Sequence, residues 1–160
     1  MPSSTIWSRS QSLLVLYVFK TEKEFNEFRS ALDLVLNVSN IKRKKIIVLI
    51  KDKNQEVLRH SLFSYISEED IHFFTLELKK KAKNELGYHL DIARHTVFDL
   101  LLCFGKPTKK VLKWILKIQI EQRIGINTEG LETFNLNLQS TSKLVKEQVF
   151  FTKNTLDKIY

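Results

Sequence analysis

SLLVLYVFKTEKEFNEFRSALDLVLNVSNIKRKKIIVLI, residues 12–50, contains two continuous apolar runs separated by an amphipathic segment. The first run, residues 12–19, and the second, residues 45–50, have the composition of strands that are buried on both faces. Between them, Thr21 begins a capping-box motif, and apolar residues then recur at helical spacing over residues 22–37. This strand–helix–strand order predicts a βαβ unit with parallel strands.

The second half of the chain repeats this alternation. The run VFDLLLCF, residues 97–104, predicts another buried strand, and Pro107 suits the first turn of a helix that follows it. The predicted apolar stripe of that helix comprises Val111, Trp114, Ile115 and Ile118. Residues 54–95 are less regular: HFFTLEL resembles a strand, and LELKKKAKNELG resembles a short helix that ends at Gly87.

Two further strands and a helix complete the pattern. RIGIN predicts a short strand, and the strict alternation of FNLNLQ, residues 134–139, predicts a strand at the edge of the sheet. Ser140 or Thr141 is the predicted cap of the last helix. We therefore expect residues 1–160 to form one Rossmann-like or flavodoxin-like α/β domain. Its sheet should be mostly parallel with five or six strands and helices on both faces, and residues 1–11 can be a flexible terminus.

The totals agree with a single domain that needs no covalent staple. The chain has 160 residues, 43% of them apolar, which is enough to build a core without a disulfide or a metal. Cys103 is the only cysteine, so no intrachain disulfide can form, as is usual in a reducing compartment. No apolar run is long enough to span a bilayer, so we expect a soluble cytoplasmic protein with no membrane span.

The positive charge of the chain is concentrated. The formal net charge is +8, and residues 42–53, 79–83 and 106–117 hold six, four and five basic residues, respectively. Such clusters are typical of proteins that bind a polyanion, and RNA or a ribonucleoprotein is the partner we expect. The candidate binding residues are Lys42, Arg43, Lys44, Lys45, Lys79, Lys80, Lys81, Lys83, Lys106, Lys110, Lys113 and Lys117.

Ordinary explanations for these lysines remain open. Lysine, Ile, Asn and Phe are all frequent and all have AT-rich codons, so genome composition alone can raise the lysine content. The lysines after Gly105 can form the solvated face of a helix that covers the sheet, and Lys42–Lys45 can protect a hydrophobic strand from aggregation. The abundant Phe residues, including Phe73 and Phe74, fit core positions better than exposed stacking platforms.

The turn after residues 97–104 is a second candidate site. Gly105, Lys106 and Thr108 lie between a strand and a helix, where free backbone amides can hold a phosphate. Neither the dinucleotide-binding glycine pattern nor the P-loop pattern occurs in the chain, and Pro107 removes one amide donor. A plain turn therefore remains the alternative to a phosphate turn.

The sequence offers no equipped reaction centre. His89 and Asp91 could form an orienting pair, but no nucleophile accompanies them, and the spacing of His89 and His95 does not match a helical metal pair. Cys103 lies in a predicted buried strand, where a thiol is usually inert, and Asp99 suits an anchor at the start of that strand. We predict no catalytic residue, metal or cofactor, and we lean towards a protein that is not an enzyme.

Several segments together resemble a known family. VFDLLLCFG, the lysine-rich helix, RIGIN and FNLNLQ are similar to a small bacterial α/β family that is defined only as a domain of unknown function. SLLVLYVF and YISEEDIHFF resemble its earlier segments, so the resemblance spans most of the chain but implies no activity. FDLLL with RIGIN also resembles the N-terminal Rossmann-like half of GT-B glycosyltransferases. In those enzymes the nucleotide-sugar site belongs mainly to the other half, so this resemblance implies the fold without that site.

Three classes of function follow. The first is a non-enzymatic protein whose basic surface binds a polyanion such as RNA or a ribonucleoprotein. The second is an interaction or structural module that uses the edge strand near residue 136 to pair with another protein. The third is a small nucleotide-binding domain that uses the turn at Gly105.

Overall fold

The computed structural model describes residues 4–51, 71–76, 80, 97–128 and 133–160. Its elements are α1 Ile6–Arg9, β1 Ser12–Val18, α2 Glu22–Leu36, β2 Arg43–Ile50, β3 Ile71–Thr75, β4 Phe98–Phe104, α3 Lys109–Ile115, β5 Ile120–Ile126, β6 Leu136–Leu138 and α4 Val145–Leu156. Most of the predicted helix that ends at Gly87 lies outside the described residues, as do His89, Asp91 and His95.

The strands form one open sheet in the order β3-β2-β1-β4-β5-β6, and every pairing is parallel. Strands β2 and β3 are therefore added on one side of β1, and β5 and β6 follow β4 on the other side. Leu16 of β1 lies between Ile47 of β2 and Cys103 of β4. This arrangement confirms the prediction of an α/β domain with a Rossmann-like parallel sheet, which has six of the five or six strands expected.

Helices cover both faces of this sheet. On one face, Leu13, Val15 and Tyr17 of β1 pack with α1, α2 and α4. On the other face, Leu14 and Leu16 pack with α3. The residues of α3 and its C-terminal turn that face this second core are those of the predicted stripe, namely Val111, Trp114, Ile115 and Ile118. Coverage of both faces explains why β1 reads as a continuous apolar run rather than an alternating one.

Local signals place the starts of α2 and α3. The Thr21 hydroxyl accepts a hydrogen bond from the Glu24 amide at 3.1 Å, so α2 begins where the capping motif predicts. Helix α3 begins at Lys109, and Thr108 is its cap. Pro107 consequently lies before the helix and not in its first turn, which corrects the position predicted for it.

The predicted cap of α4 is wrong. This helix begins at Val145 after Leu144, and no side chain caps it. Ser140 is held instead by Asn127: its amide donates to the Asn127 side-chain oxygen at 2.7 Å, and its carbonyl accepts from the Asn127 side-chain amide at 3.3 Å. Because these bonds tie Ser140 to the end of β5, the chain continues for several residues before the helix begins.

The N-terminal segment contains a short helix. Ile6 and Trp7 of α1 are buried, and the Ile6 amide donates to the carbonyl of Ile159 at 2.7 Å. The Thr5 hydroxyl also donates to the Asp157 carboxylate at 2.9 Å. The segment before β1 is thereby joined to the C-terminal end of α4.

Strand β6 lies at one edge of the sheet. This position confirms the edge strand predicted from FNLNLQ.

Asp99 anchors the two central strands to each other. Its carboxylate accepts hydrogen bonds from the amides of Gln11 at 2.8 Å and Ser12 at 3.2 Å. In return, the Ser12 hydroxyl accepts from the Asp99 amide at 2.9 Å. These bonds connect the starts of β1 and β4 and fix their relative register, which agrees with the anchoring role predicted for Asp99.

No helix in the described ranges combines the length and the apolar character needed to cross a membrane.

We expect Asp99→Ala to lower the free energy of unfolding by about 1–3 kcal/mol, because two backbone amides lose a charged acceptor. Urea denaturation monitored by circular dichroism measures this change. Glu121→Ala is the matched control, because Glu121 is an exposed strand residue whose side chain makes no hydrogen bond or ion pair in the described part of the chain. Equal stability of the two variants would contradict the anchoring role.

Candidate functional site

The outward side of α3 carries a row of lysines. We define the α3 basic face as Lys110 and Lys113 of α3 together with Lys106 before the helix and Lys117 after it, all of which are exposed. The structure thus corrects the prediction that all four lysines lie on one face of a single helix. Residues 105–119 contain no acidic residue. Within the described part of the chain, no ion pair involves Lys110, Lys113 or Lys117. The positive charge of these three side chains is therefore not neutralised by a neighbouring carboxylate in those segments.

The basic residues at the start of β2 divide between the two faces of the sheet. Strand residues alternate, and Ile47 belongs to the core beneath α3 whereas Ile46 belongs to the core beneath α2. Arg43 and Lys45 therefore project to the side of α3, and the Arg43 guanidinium lies 4.5 Å from the centre of the Phe98 ring. Lys44 projects to the side of α2.

The structure thus separates some of the predicted binding residues. On the α2 side, the Lys44 ammonium forms an ion pair with the Asp33 carboxylate at 3.7 Å. Lys42 precedes β2 and is exposed, and Lys80 is exposed as well. Lys79, Lys81 and Lys83 lie outside the described residues.

The α2 side of the sheet has mixed charge. Helix α2 contains the acids Glu22, Glu24, Glu27 and Asp33 beside the bases Lys23 and Arg29. Helix α4 contains Glu147 beside Lys146 and Lys153, and Lys153 pairs with Asp157 at 3.2 Å. A helix without any acid covers one face, and helices of both signs cover the other. This difference is the main electrostatic feature of the described surface.

Residues of the predicted phosphate turn make contacts that stabilise the fold. The Thr108 hydroxyl donates to the Leu76 carbonyl at 2.9 Å and accepts from the Val111 amide at 3.4 Å, so it joins the start of α3 to the end of β3. Gly105 has a φ of 100°, and a Cβ there would lie 2.9 Å from the Cβ of Val18. The turn brings Gly105, Lys106 and Thr108 into one loop, but the Thr108 hydroxyl serves as a helix cap.

A crevice opens on the other side of Gly105. We define the switch-point crevice as the small cavity beyond the carboxyl ends of β1 and β4, which has a volume of about 50 Å³ and is partly open to solvent. Its lining residues include Tyr17, Lys20, Glu24, Gly105, Lys143 and Val145. Only Gly105 among these residues is predicted from the sequence, because the lining comes from four parts of the fold that are far apart in the chain.

Burial decides the chemistry of the two weakly acidic groups near the sheet centre. Burial raises the pKa of the Tyr17 hydroxyl well above its usual value, and the Glu24 and Glu27 carboxylates raise it further. Burial also raises the pKa of the Cys103 thiol to about 12. Tyr17 therefore remains a neutral hydroxyl, and Cys103 remains a thiol that cannot act as a nucleophile at neutral pH.

Within the described ranges, no three His, Cys, Asp or Glu side chains come together in a group that could hold a metal ion.

Comparison with models of protein families and with curated proteins finds no match. The resemblances to the small bacterial family and to half of a GT-B enzyme therefore remain predictions.

Native protein should resist thiol labelling at pH 8, because the Cys103 side chain is fully buried and its thiol keeps its proton. We expect iodoacetamide to modify Cys103 only as fast as the protein unfolds. Mass spectrometry over time measures this rate, and labelling in denaturant gives the reference. Rapid modification without denaturant would show that Cys103 is reachable in the folded state.

Proposed function

We propose that the protein is a non-enzymatic binding protein whose partner is a polyanion, namely RNA or the RNA of a ribonucleoprotein. The binding surface consists of the α3 basic face together with Arg43 and Lys45. The observation that carries this proposal is the group of exposed lysines on and beside α3, a helix that contains no acid. A cytoplasmic location, where RNA is abundant and a single free thiol remains reduced, belongs to the same proposal.

The geometry of α3 suits contact with a phosphate backbone. Lys110 and Lys113 are three residues apart on one side of the helix, and Lys117 lies in the turn that follows it. The other side is fixed, because Val111 and Ile115 are fully buried. A row of ammonium groups on an anchored helix can neutralise several phosphates at once, and lysine does so without reading bases.

Among the described residues, the aromatic side chains near this surface are not placed for stacking on bases. Phe73, Phe74 and Trp114 are buried at 6%, 8% and 7% exposure, so none of them presents a ring on which a base could stack. Affinity should then come mainly from the release of counterions, and it should be steeply dependent on salt and indifferent to sequence.

The two alternatives have less structural support. The edge strand β6 offers only three residues for pairing with another chain, and the Asn137 side chain accepts a hydrogen bond from Thr128. In the proposed nucleotide turn, the Thr108 hydroxyl already caps α3 and donates to the Leu76 carbonyl, so it is not free for a phosphate. The basic surface is therefore the better basis for a function.

The double variant Lys110→Gln, Lys113→Gln should bind a single-stranded RNA oligomer more weakly, and its affinity should depend less steeply on salt. Each phosphate contact contributes about 0.7 to the slope of log K against log salt, so losing two should reduce the slope by about 1.4. Fluorescence anisotropy over a salt series measures this slope. The weakening should be similar for oligomers of different sequence.

The matched control is Lys146→Gln, Lys158→Gln, which removes the same charge from α4 and the residues after it. This control should leave the slope at the wild-type value. An equal loss in both double variants, or affinity that does not respond to salt, would show that α3 does not form the binding surface.

A further inference from the structure

A groove lies between α2 and α4, which pack against each other on the same face of the sheet. We define the α2–α4 groove by its lining residues Glu27, Ala31 and Leu34 from α2 and Lys146 and Phe150 from α4. It has a volume of about 550 Å³ and is open to solvent. Its size is that of a binding site rather than of a packing defect.

The exposed surface inside this groove is mainly apolar. Leu34 is 61% exposed although it is a large aliphatic side chain, and Phe150 is only partly buried against the core. Glu27, Ala31 and Leu34 recur at helical spacing, so they share one side of α2. Concave apolar surface that stays open to water is a common mark of an interaction site.

The two walls of the groove carry charges of opposite sign. Glu27 stands on the α2 wall and Lys146 on the α4 wall. Neither side chain forms an ion pair, with the other or with any other group in the described ranges. The helices differ in the same sense, since α2 has four acids and two bases whereas α4 has two bases and one acid.

This pattern is complementary to itself. In a two-fold symmetric pair, each contact between two different residues occurs twice. When α2 of one copy lies against α4 of the other, Glu27 meets Lys146 of the partner subunit, and Leu34 enters the apolar part of the other groove. One acid and one base leave the groove itself without a net charge, so it offers no attraction to a polyanion.

We propose that the protein forms a two-fold symmetric homodimer through the α2–α4 groove. Burial of Leu34 and Phe150 drives the association, and the two contacts between Glu27 and Lys146 fix the orientation of the subunits. The α3 basic face covers the opposite face of the sheet, so both copies keep it exposed in the dimer. Dimer formation is therefore independent of the RNA binding proposed above.

Sedimentation velocity of the protein without RNA, over a concentration series up to about 1 mM, tests this interface. The mass should rise with concentration from the 18.9 kDa of one chain towards twice that value. Leu34→Glu should weaken the association at least about tenfold, because it places a charge in the apolar contact of both subunits.

Leu116→Glu is the matched control. Leu116 is 53% exposed at the end of α3, so the same change is made at a similarly exposed leucine on the other face of the sheet. This variant should dimerise like the wild type. Circular dichroism checks that both variants are folded.

Exchange of the two charges shows whether the contact is made between subunits. Glu27→Lys and Lys146→Glu should each weaken the association, because like charges then meet at both symmetric contacts. An equimolar mixture of the two variants should associate again, since each supplies the charge that the other lacks. A role within one chain cannot be rescued by mixing.

Three results would overturn the inference: a wild-type protein that stays monomeric throughout the series, equal association of Leu34→Glu and wild type, or no gain on mixing the two charge variants. A different protein that fills the groove of a monomeric chain would count in the same way. The double variant Lys110→Gln, Lys113→Gln should dimerise like the wild type, so failure of the RNA proposal and failure of this one are distinguishable.

Discussion

An open parallel sheet has to be covered on both faces, and the rest of this structure depends on that constraint. Residues 13–17 of β1 are at most 3% exposed, so neither face of the central strand can be left to water. Helices α1, α2 and α4 cover one face, and α3 covers the other. The protein therefore has two outer surfaces that are built from different helices and can differ in charge.

The same constraint explains the arrangement of lysines. The apolar residues of α3 are committed to the core beneath it, so polar positions remain on the outer side, and in this helix they are lysines without a single acid. The crevice has a related origin. Because β1 and β4 are neighbours whose following loops diverge, a gap forms at their carboxyl ends, and α4 begins beside it.

The sequence predicts those features that depend on local patterning. Long apolar runs identify β1, β2 and β4, and the motif at Thr21 fixes the start of α2. Residues that act through distant partners are harder to find. The cap of α4 is misassigned because Ser140 bonds Asn127, and helix α1 has only two buried residues to signal it.

The candidate sites follow the same division. The lysines of the α3 basic face are visible in the sequence because they lie close together in the chain. The alternation of Arg43, Lys44 and Lys45 matters only once β2 is placed in the sheet. The switch-point crevice is not predictable from local pattern. Tyr17, Gly105 and Val145 are separated by most of the chain, and only the pairing of β1 with β4 brings them to one place.

The central proposal is that RNA binds on the α3 side of the sheet and not on the α2 side. Mapping RNA contacts by NMR, with observation of both backbone amides and lysine side chains, tests this claim most directly. The account predicts that a short single-stranded RNA shifts signals of Lys110, Lys113, Lys117, Arg43 and Lys45 while the signals of α2 and α4 stay constant. Shifts of equal size on α2 and α4 would contradict it.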